Sequence, residues 1–562
     1  MRRQCFDVRS CGCPKPTGSI AILALTVLYA VACLAGGFSD RPESPVAFYQ
    51  DIAPILQQHC IGCHRPGDIA PMSLVTFDEV KAYVSAIRQK VIDREMPPWH
   101  ADPRFGKFAN ERRLSEQEID KIVAWIDQGV RPGDPNQLQR APGETSKAAE
   151  PDVVFQMPEP YSLEANLTDE YVYFRIPTNF KEDKWAQAVS FMPGNRRVVH
   201  HAVAFIETPE RFAEAQRRNP SLPGRPDVWT ILDTEMSPVE LMDGTTRRVK
   251  PDAPVIDDGC GSPADDAESG FGSNEILSVY APGRQSDAWP PGTARRIPAG
   301  SNIILQMHYS KPSGSAERDR TRIAIVFARA PVENMVGTRG IHNETFLIPP
   351  GAASHRVTAC WTFQRDVRLI SFMPHMHVRG KSMTYEAIYP DGRRETLLSV
   401  PRYSFHWQTL YELKTPLAIP GGTKVMVTAI YDNSANNHHN PDPTKAVRNG
   451  SATIDEMMIG FVNYTVPRPL DRRIIKIQPA LYDAYTGEYE LSTGTSVKVI
   501  RKQDRLFVET EGQLVELFPV SETSFIIKAR DSQLTFVKDA RGRAVELVIT
   551  FSDKLLRFKR TG

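Results

Sequence analysis

The 562-residue chain balances 68 Lys plus Arg against 67 Asp plus Glu, so its charge offers no footprint for nucleic acid or for an anionic membrane surface. The length exceeds one compact core and predicts three or four domains, while 45 prolines and 35 glycines scattered between short apolar runs argue against long helices. Most of the chain should be β.

Arg2, Arg3, Arg9 and Lys15 precede an apolar run from Ile20 to Ala32 that is too short to span a bilayer comfortably. Residues 1–40 therefore read as a signal peptide and leader, with Ala30-Val31-Ala32 supplying small residues for cleavage. The expected location is exported, periplasmic or extracellular, and a membrane enters only if the chain is anchored near Cys33.

Residues 46–130 form the one helical stretch: Phe48, Ile52, Ile55 and Leu56 share a face, and Ile119, Ile122, Val123 and Ile126 repeat the pattern. Ser115 and Glu118 form a capping box ahead of the second helix, which Gly129 and Pro132 stop. Between these helices, Cys60-Ile61-Gly62-Cys63-His64 has the spacing that attaches a c-type haem through two thioethers and leaves His64 to ligate iron. A zinc site would want a second ligand pair, and a redox dithiol a βαβ setting; neither accompanies the motif. The segment 41–135 resembles small bacterial cytochromes c, which implies an axial methionine on the loop before the last helix. Met96 sits there; Met72, the rival, follows His64 too closely to reach the opposite haem face easily. His59 and His100 read as surface residues.

A polar linker runs from Arg131 to about Pro151, and alternating strands such as Ser301–Tyr309 and Lys424–Tyr431 extend to about residue 478. Residues 251–300, rich in Pro, Gly, Asp and Ser, look like a surface excursion. After 480, segments such as Ser496–Ile500, Leu506–Glu509, Ser524–Ile527 and Lys554–Lys559 read as a small β-meander, and Tyr485-Thr-Gly-Glu-Tyr489 loosely resembles the start of a β domain appended to some bacterial serine hydrolases. Cys260 and Cys360 are left to pair or not.

Three patterns place His where a soft, redox-active metal would need it: His200-His201, Gln306-Met307-His308-Tyr309 and His375-Met376-His377; a fourth is Asp455-Glu456-Met457-Met458. Alternation on a strand sends His375 and His377 to one face, whereas adjacent His200 and His201 need a bulge to share an ion. In this order the motifs resemble the copper type II ascorbate-dependent monooxygenases, the family of dopamine β-monooxygenase and the peptidylglycine α-hydroxylating enzymes. The resemblance implies two β-sandwiches of jelly-roll type (150–328 and 329–478) and two copper ions. One, for electron transfer, is held by His200, His201 and His308; the other, which binds O2, by His375, His377 and Met457, with Gly380 completing the third motif.

The expected fold is mainly β and multidomain: an all-α cytochrome c domain, two sandwiches, and a small β domain over 480–562. Two departures stand out. Glu207 replaces the family's cysteine, and Met373, Ile459 and Phe461 replace the carboxylate-gripping residues of the peptide-amidating branch, which implies a more apolar pocket. Phe405, Trp407 and Tyr411 are candidates to line it, with at least two of them read as core; His355, His406, His438 and His439 are left as non-ligands. The resulting expectation is a C–H hydroxylase for a small organic substrate, fed by covalent haem c and by a periplasmic donor or ascorbate-like reductant. The alternative is a haem and copper electron carrier without oxygenase activity.

Overall fold

The computed structural model describes residues 45–138, 150–165, 169–209, 211–213, 228–230, 255–260, 276–281, 286–310, 315–450, 452–468, 474–491, 494–510, 513–527, 532–551 and 554–561. The leader and Cys33 lie outside the described residues, among which no helix is long and apolar enough to cross a membrane.

A wide π-type turn, Phe48–Ile52, runs into the helix Ala53–His59 and buries Phe48, Ile52, Ile55 and Leu56. The helix Glu116–Asp127 begins at its capping box: Ser115 Oγ accepts from Glu118 N–H at 3.2 Å and the Glu118 carboxylate from Ser115 N–H at 2.7 Å. Gly129 at φ +94° then ends it in the left-handed region that favours glycine. The helices Phe77–Lys81 and Val84–Ile92 escape a reading by apolar periodicity because each buries one residue, Val80 and Val91; the Thr76/Glu79 capping box was the available signal for the first, and the second carried none.

Two sandwiches follow. The five-stranded sheet of the first holds Val228–Thr230, Asp169–Pro177, Asn302–Ser310, Val199–Glu207 and Ile276–Tyr280 in that order; that of the second holds Arg394–Val400, Gly380–Ile388, Thr423–Tyr431, His355–Phe363 and Asp258–Gly259. A nine-stranded sheet packs against both, because Thr293–Ile297 pairs in parallel with Asn334–His342 through Thr293 with Asn334 and Ala294 with Met335. The two expected halves thus share one sheet.

The described part of 251–300 overturns its reading as a surface excursion. Ile276–Tyr280 and Ser286–Ala288 join the first sandwich, Thr293–Ile297 links the halves, and Ile276, Leu277 and Tyr280 are buried. The turn residues between these short strands hide their periodicity. Cys260 is disulfide-bonded to Cys360, which ties this segment to His355–Phe363.

The helical segment is built into the second sandwich. Trp99 and Phe108 join its core with ring centroids 5.0 and 5.5 Å from Tyr411, which is therefore a core residue. Asn110 Nδ2 donates to Leu410 O at 2.7 Å, and its Oδ1 accepts from Glu412 N–H at 3.0 Å. At the other end, eight strands from Gly487–Glu490 to Lys554–Arg560 close into a barrel, Tyr489 pairing with Arg560, so the expected meander has no open edge.

Candidate metal centres

His200 and His201 lie on Val199–Glu207, beside His308 on Asn302–Ser310. His308 pairs with His201 but Tyr309 pairs with Val199, so His200 is the extra residue of a bulge, the device adjacent ligands require. The three Nδ1 atoms stand 3.3 Å (His200 to His201), 3.2 Å (His200 to His308) and 3.2 Å (His201 to His308) apart. The centre of such a triangle, its side divided by √3, is about 1.9 Å from each nitrogen, close to the ~2.0 Å of a metal–imidazole bond. A proton placed on one nitrogen satisfies one of these contacts at a time, whereas a cation satisfies all three. Among the described residues this is the one group of three or more His, Cys, Asp or Glu side chains spaced to hold an ion.

Surrounding contacts fix the cluster. His308 stacks on Tyr171 with centroids 4.1 Å apart and planes 2° from parallel. Burial, followed by the neighbouring imidazoles, pushes His201 far below the usual histidine range and keeps it a neutral ligand. Tyr309 OH donates to Asp319 Oδ2 at 2.9 Å, and Asp319 Oδ1 accepts from Asn195 N–H at 2.8 Å, pinning the loop that enters the His200 strand.

His375 ends the strand Val367–His375, and His377 follows in the turn, with Met376 between them buried in the core. Alternation brings the two rings to 5.5 Å at 89°. Each Nδ1 is held from behind, His375 by Gln408 Oε1 at 2.8 Å and His377 by the Asp455 carbonyl at 3.2 Å, an arrangement that leaves both Nε2 lone pairs for a metal. Burial lowers His375 to about 4. Met457 borders the same cavity as both rings, whereas Met458 is buried in the second core.

Glu456 clips this turn to the methionine loop: Oε2 accepts from His377 N–H at 2.8 Å and Oε1 from Arg379 N–H at 2.6 Å. Tyr403 OH accepts from Met376 N–H at 3.0 Å and donates to Met376 O at 2.6 Å. A Cβ on Gly380 would stand 2.7 Å from Met376 Cβ and 2.8 Å from Tyr403 Cδ1, which explains the glycine that ends the motif. Gln408 and Glu456 are supports that sequence reasoning missed. Glu456 was visible only as a member of the fourth motif, and Gln408 carried no signal.

Residues 336–484, which contain His375, His377 and Met457, match the family model of the copper type II ascorbate-dependent monooxygenase C-terminal domain. Over that segment the chain is similar to this family. It is 22% identical over 206 residues to dopamine beta-hydroxylase of Rattus norvegicus, covering 34% of this chain and 32% of that protein. A separate match, 43% over 75 residues, is to penicillin-binding protein 4* of Bacillus subtilis (strain 168), covering 13% of this chain and 17% of that protein. The chain thus spans less than two thirds of either relative's length. A solved structure of a secreted protein from Eubacterium rectale overlays with a TM-score of 0.15 at 8% identity, covering 52% of this chain and 69% of that one, too low to describe a shared fold.

The departures from the monooxygenase pattern have physical explanations. Glu207, at the cysteine position, pairs with Arg175, Nε to Oε2 at 2.9 Å, and accepts from Asn302 Nδ2 at 2.8 Å, so a buried ionic brace joins three strands. Met373, Ile459 and Phe461 do line a cavity of about 60 Å³ between the halves, with Val203, Phe205 and Ile276 opposite and His201, His375, His377 and Met457 in its wall. Phe405 stands between the two His groups, 5.4 Å from the His200 ring and 6.0 Å from the His377 ring.

The haem-motif residues divide between two places. Cys60 and Cys63 are free thiols, and burial pushes both up, Cys60 to about 12. His64 Nδ1 lies 3.2 Å from Met72 O, which orients the ring and directs Nε2 away for an iron. Two thiols beside an oriented imidazole fit a thioether-bound haem. Met96 borders a crevice of about 320 Å³ with Trp99, His100, Leu114 and Arg402, whose wall does not include Cys60, Cys63 or His64. His59, read as a surface residue, has its side chain almost wholly buried, and His100 is half-buried. His59 holds Arg112 O at 3.1 Å and Glu118 Oε1 at 3.2 Å through its two ring nitrogens, and burial lowers His100.

Proposed function

We propose that this chain is an exported haem–copper monooxygenase that hydroxylates a C–H bond of a small, largely apolar organic substrate. The reaction consumes the substrate, O2, two electrons and two protons and yields the alcohol and water. The convergence of three Nδ1 atoms within 3.3 Å of one another carries the reading. Copper held there and at His375, His377 and Met457 would supply one-electron redox chemistry, with the thioether favouring the cuprous form that reacts with O2.

The chain's own residues set the conditions. Gln408 and Asp455 hold the His375 and His377 rings by their rear nitrogens, so each presents Nε2 without reorganisation. Met373, Ile459 and Phe461 exclude water and leave a substrate carboxylate without a counter-ion, which favours neutral compounds. Cys60, Cys63 and His64 would hold haem c as the electron source, supplementing or replacing ascorbate. The rival electron-carrier reading drew on the missing cysteine at 207, and the Arg175–Glu207 pair supplies a brace at that position instead.

Copper and haem stoichiometry on protein from an exporting host tests the proposal, alongside His375→Ala/His377→Ala. Two coppers per haem, with one lost in the variant and substrate-dependent O2 uptake abolished, is the expected result. Copper near zero, or zinc in its place, would discard the monooxygenase.

A further inference from the structure

Resting on that reading, we infer that the haem-motif loop docks on the first sandwich through Asp68 and Arg196, and that electrons reach the three-imidazole site through this contact. Asp68 lies five residues after Cys63, and Arg196 four residues before His200. The Asp68 carboxylate is buried, with Oδ2 accepting from Arg65 Nε at 2.8 Å and from Arg196 Nη1 at 3.2 Å, and Oδ1 from Ile69 N–H at 2.9 Å. Asp68 is buried and Arg196 half-buried, so the carboxylate's loss of water is offset only where the surrounding chain holds the pair together.

The surroundings do so on both faces. On the sandwich side, the Arg196 loop is fixed by Asn195, whose N–H donates to Asp319 at 2.8 Å, and Asp319 is itself held by Tyr309, next to His308. On the helical side, Leu74 N–H donates to His64 O at 3.0 Å and His64 Nδ1 meets Met72 O, closing the motif into a compact loop. Beneath the contact, Tyr280 is buried and pairs with Ala202, one residue from His201.

Haem held by Cys60, Cys63 and His64 and copper held by His200, His201 and His308 would supply a one-electron exchange in which no bond is made or broken. Arg196 and Asp68 are positioning residues for that step. They touch neither metal ligand set, and their work is to keep the haem loop against the strand that carries His200 and His201.

Stopped-flow reoxidation of the dithionite-reduced haem in the anaerobic, copper-loaded full chain tests this, with Arg196→Ala and Arg196→Lys beside wild type. Arg196→Ala should slow haem-to-copper transfer about tenfold or more, a loss of docked population worth about 1.4 kcal/mol, while haem reduction by dithionite, copper content and the cupric EPR signal stay unchanged. Arg196→Lys should recover most of the rate. In the same variants without metal, hydrogen exchange over residues 64–69 should rise in Arg196→Ala with no change in the 199–207 strand. Unchanged transfer together with unchanged exchange overturns the docking inference. Absence of a haem spectrum in a wild-type chain whose exchange still responds to Arg196→Ala overturns the haem reading instead.

Discussion

Arg175 Nε meets Glu207 Oε2 at 2.9 Å with both side chains almost wholly buried, 5% and 2% exposed, and the pair braces the strand that carries His200 and His201. Glu207→Ala would strand a buried guanidinium, and a loss of about 3–5 kcal/mol is expected. Chemical denaturation should show this, with copper content at the three-imidazole site falling in parallel. Replacing both partners by leucine or methionine should cost far less. A single variant as stable as wild type would show that the pair braces nothing.

Gly380→Ala places a methyl group against Met376 and Tyr403 at distances neither can accept in place. Overpacking of this kind costs about 1–3 kcal/mol. Because the turn also sets His375 against His377, the variant should lose one copper equivalent while keeping the other. Retention of both coppers would detach the glycine from the ligand geometry.

Acid should destabilise the metal-free chain. Burial holds His375 at about 4, and holds His201 far below its ordinary value, whereas both titrate near 6.5 when unfolded. Between those limits the unfolded chain binds more protons than the folded one, so stability falls as pH drops from 6.5 toward 4 and is unaffected by these groups above that range. Urea midpoints of apo protein at pH 7.5 and 5 should differ by more than those of a His375→Gln variant. Equal pH dependence in the two proteins would remove His375 from the balance.

Met373→Arg introduces a cation into the apolar cavity wall. It should improve the relative kcat/KM for carboxylate-bearing compounds over neutral ones by about tenfold, equivalent to about 1.4 kcal/mol. Unchanged selectivity would place the substrate somewhere other than against Met373, Ile459 and Phe461.

What sequence made legible was local. The Ser115/Glu118 cap and the bulge that His200 and His201 demand depend on residues adjacent in the chain or on strand alternation, and both appear in the structure, where Met457 faces the cavity and Met458 the core. What stayed hidden depends on distant pairings. Gln408 behind His375, Arg175 against Glu207, and Trp99 beside Tyr411 join segments tens to hundreds of residues apart, where no periodicity connects them. The strands within 251–300 were obscured differently: they are brief, and the turn residues around them dominate the composition.

The parallel pairing of Thr293–Ile297 with Asn334–His342 runs one sheet through both halves. Sheets resist shear across their hydrogen bonds, so this joint acts as a weld where a two-domain enzyme would have a hinge. Any change in the gap across the cavity falls to side chains and to the loop that carries Phe405 and Gln408. The two halves expressed as separate polypeptides would each present a raw sheet edge seeking the other.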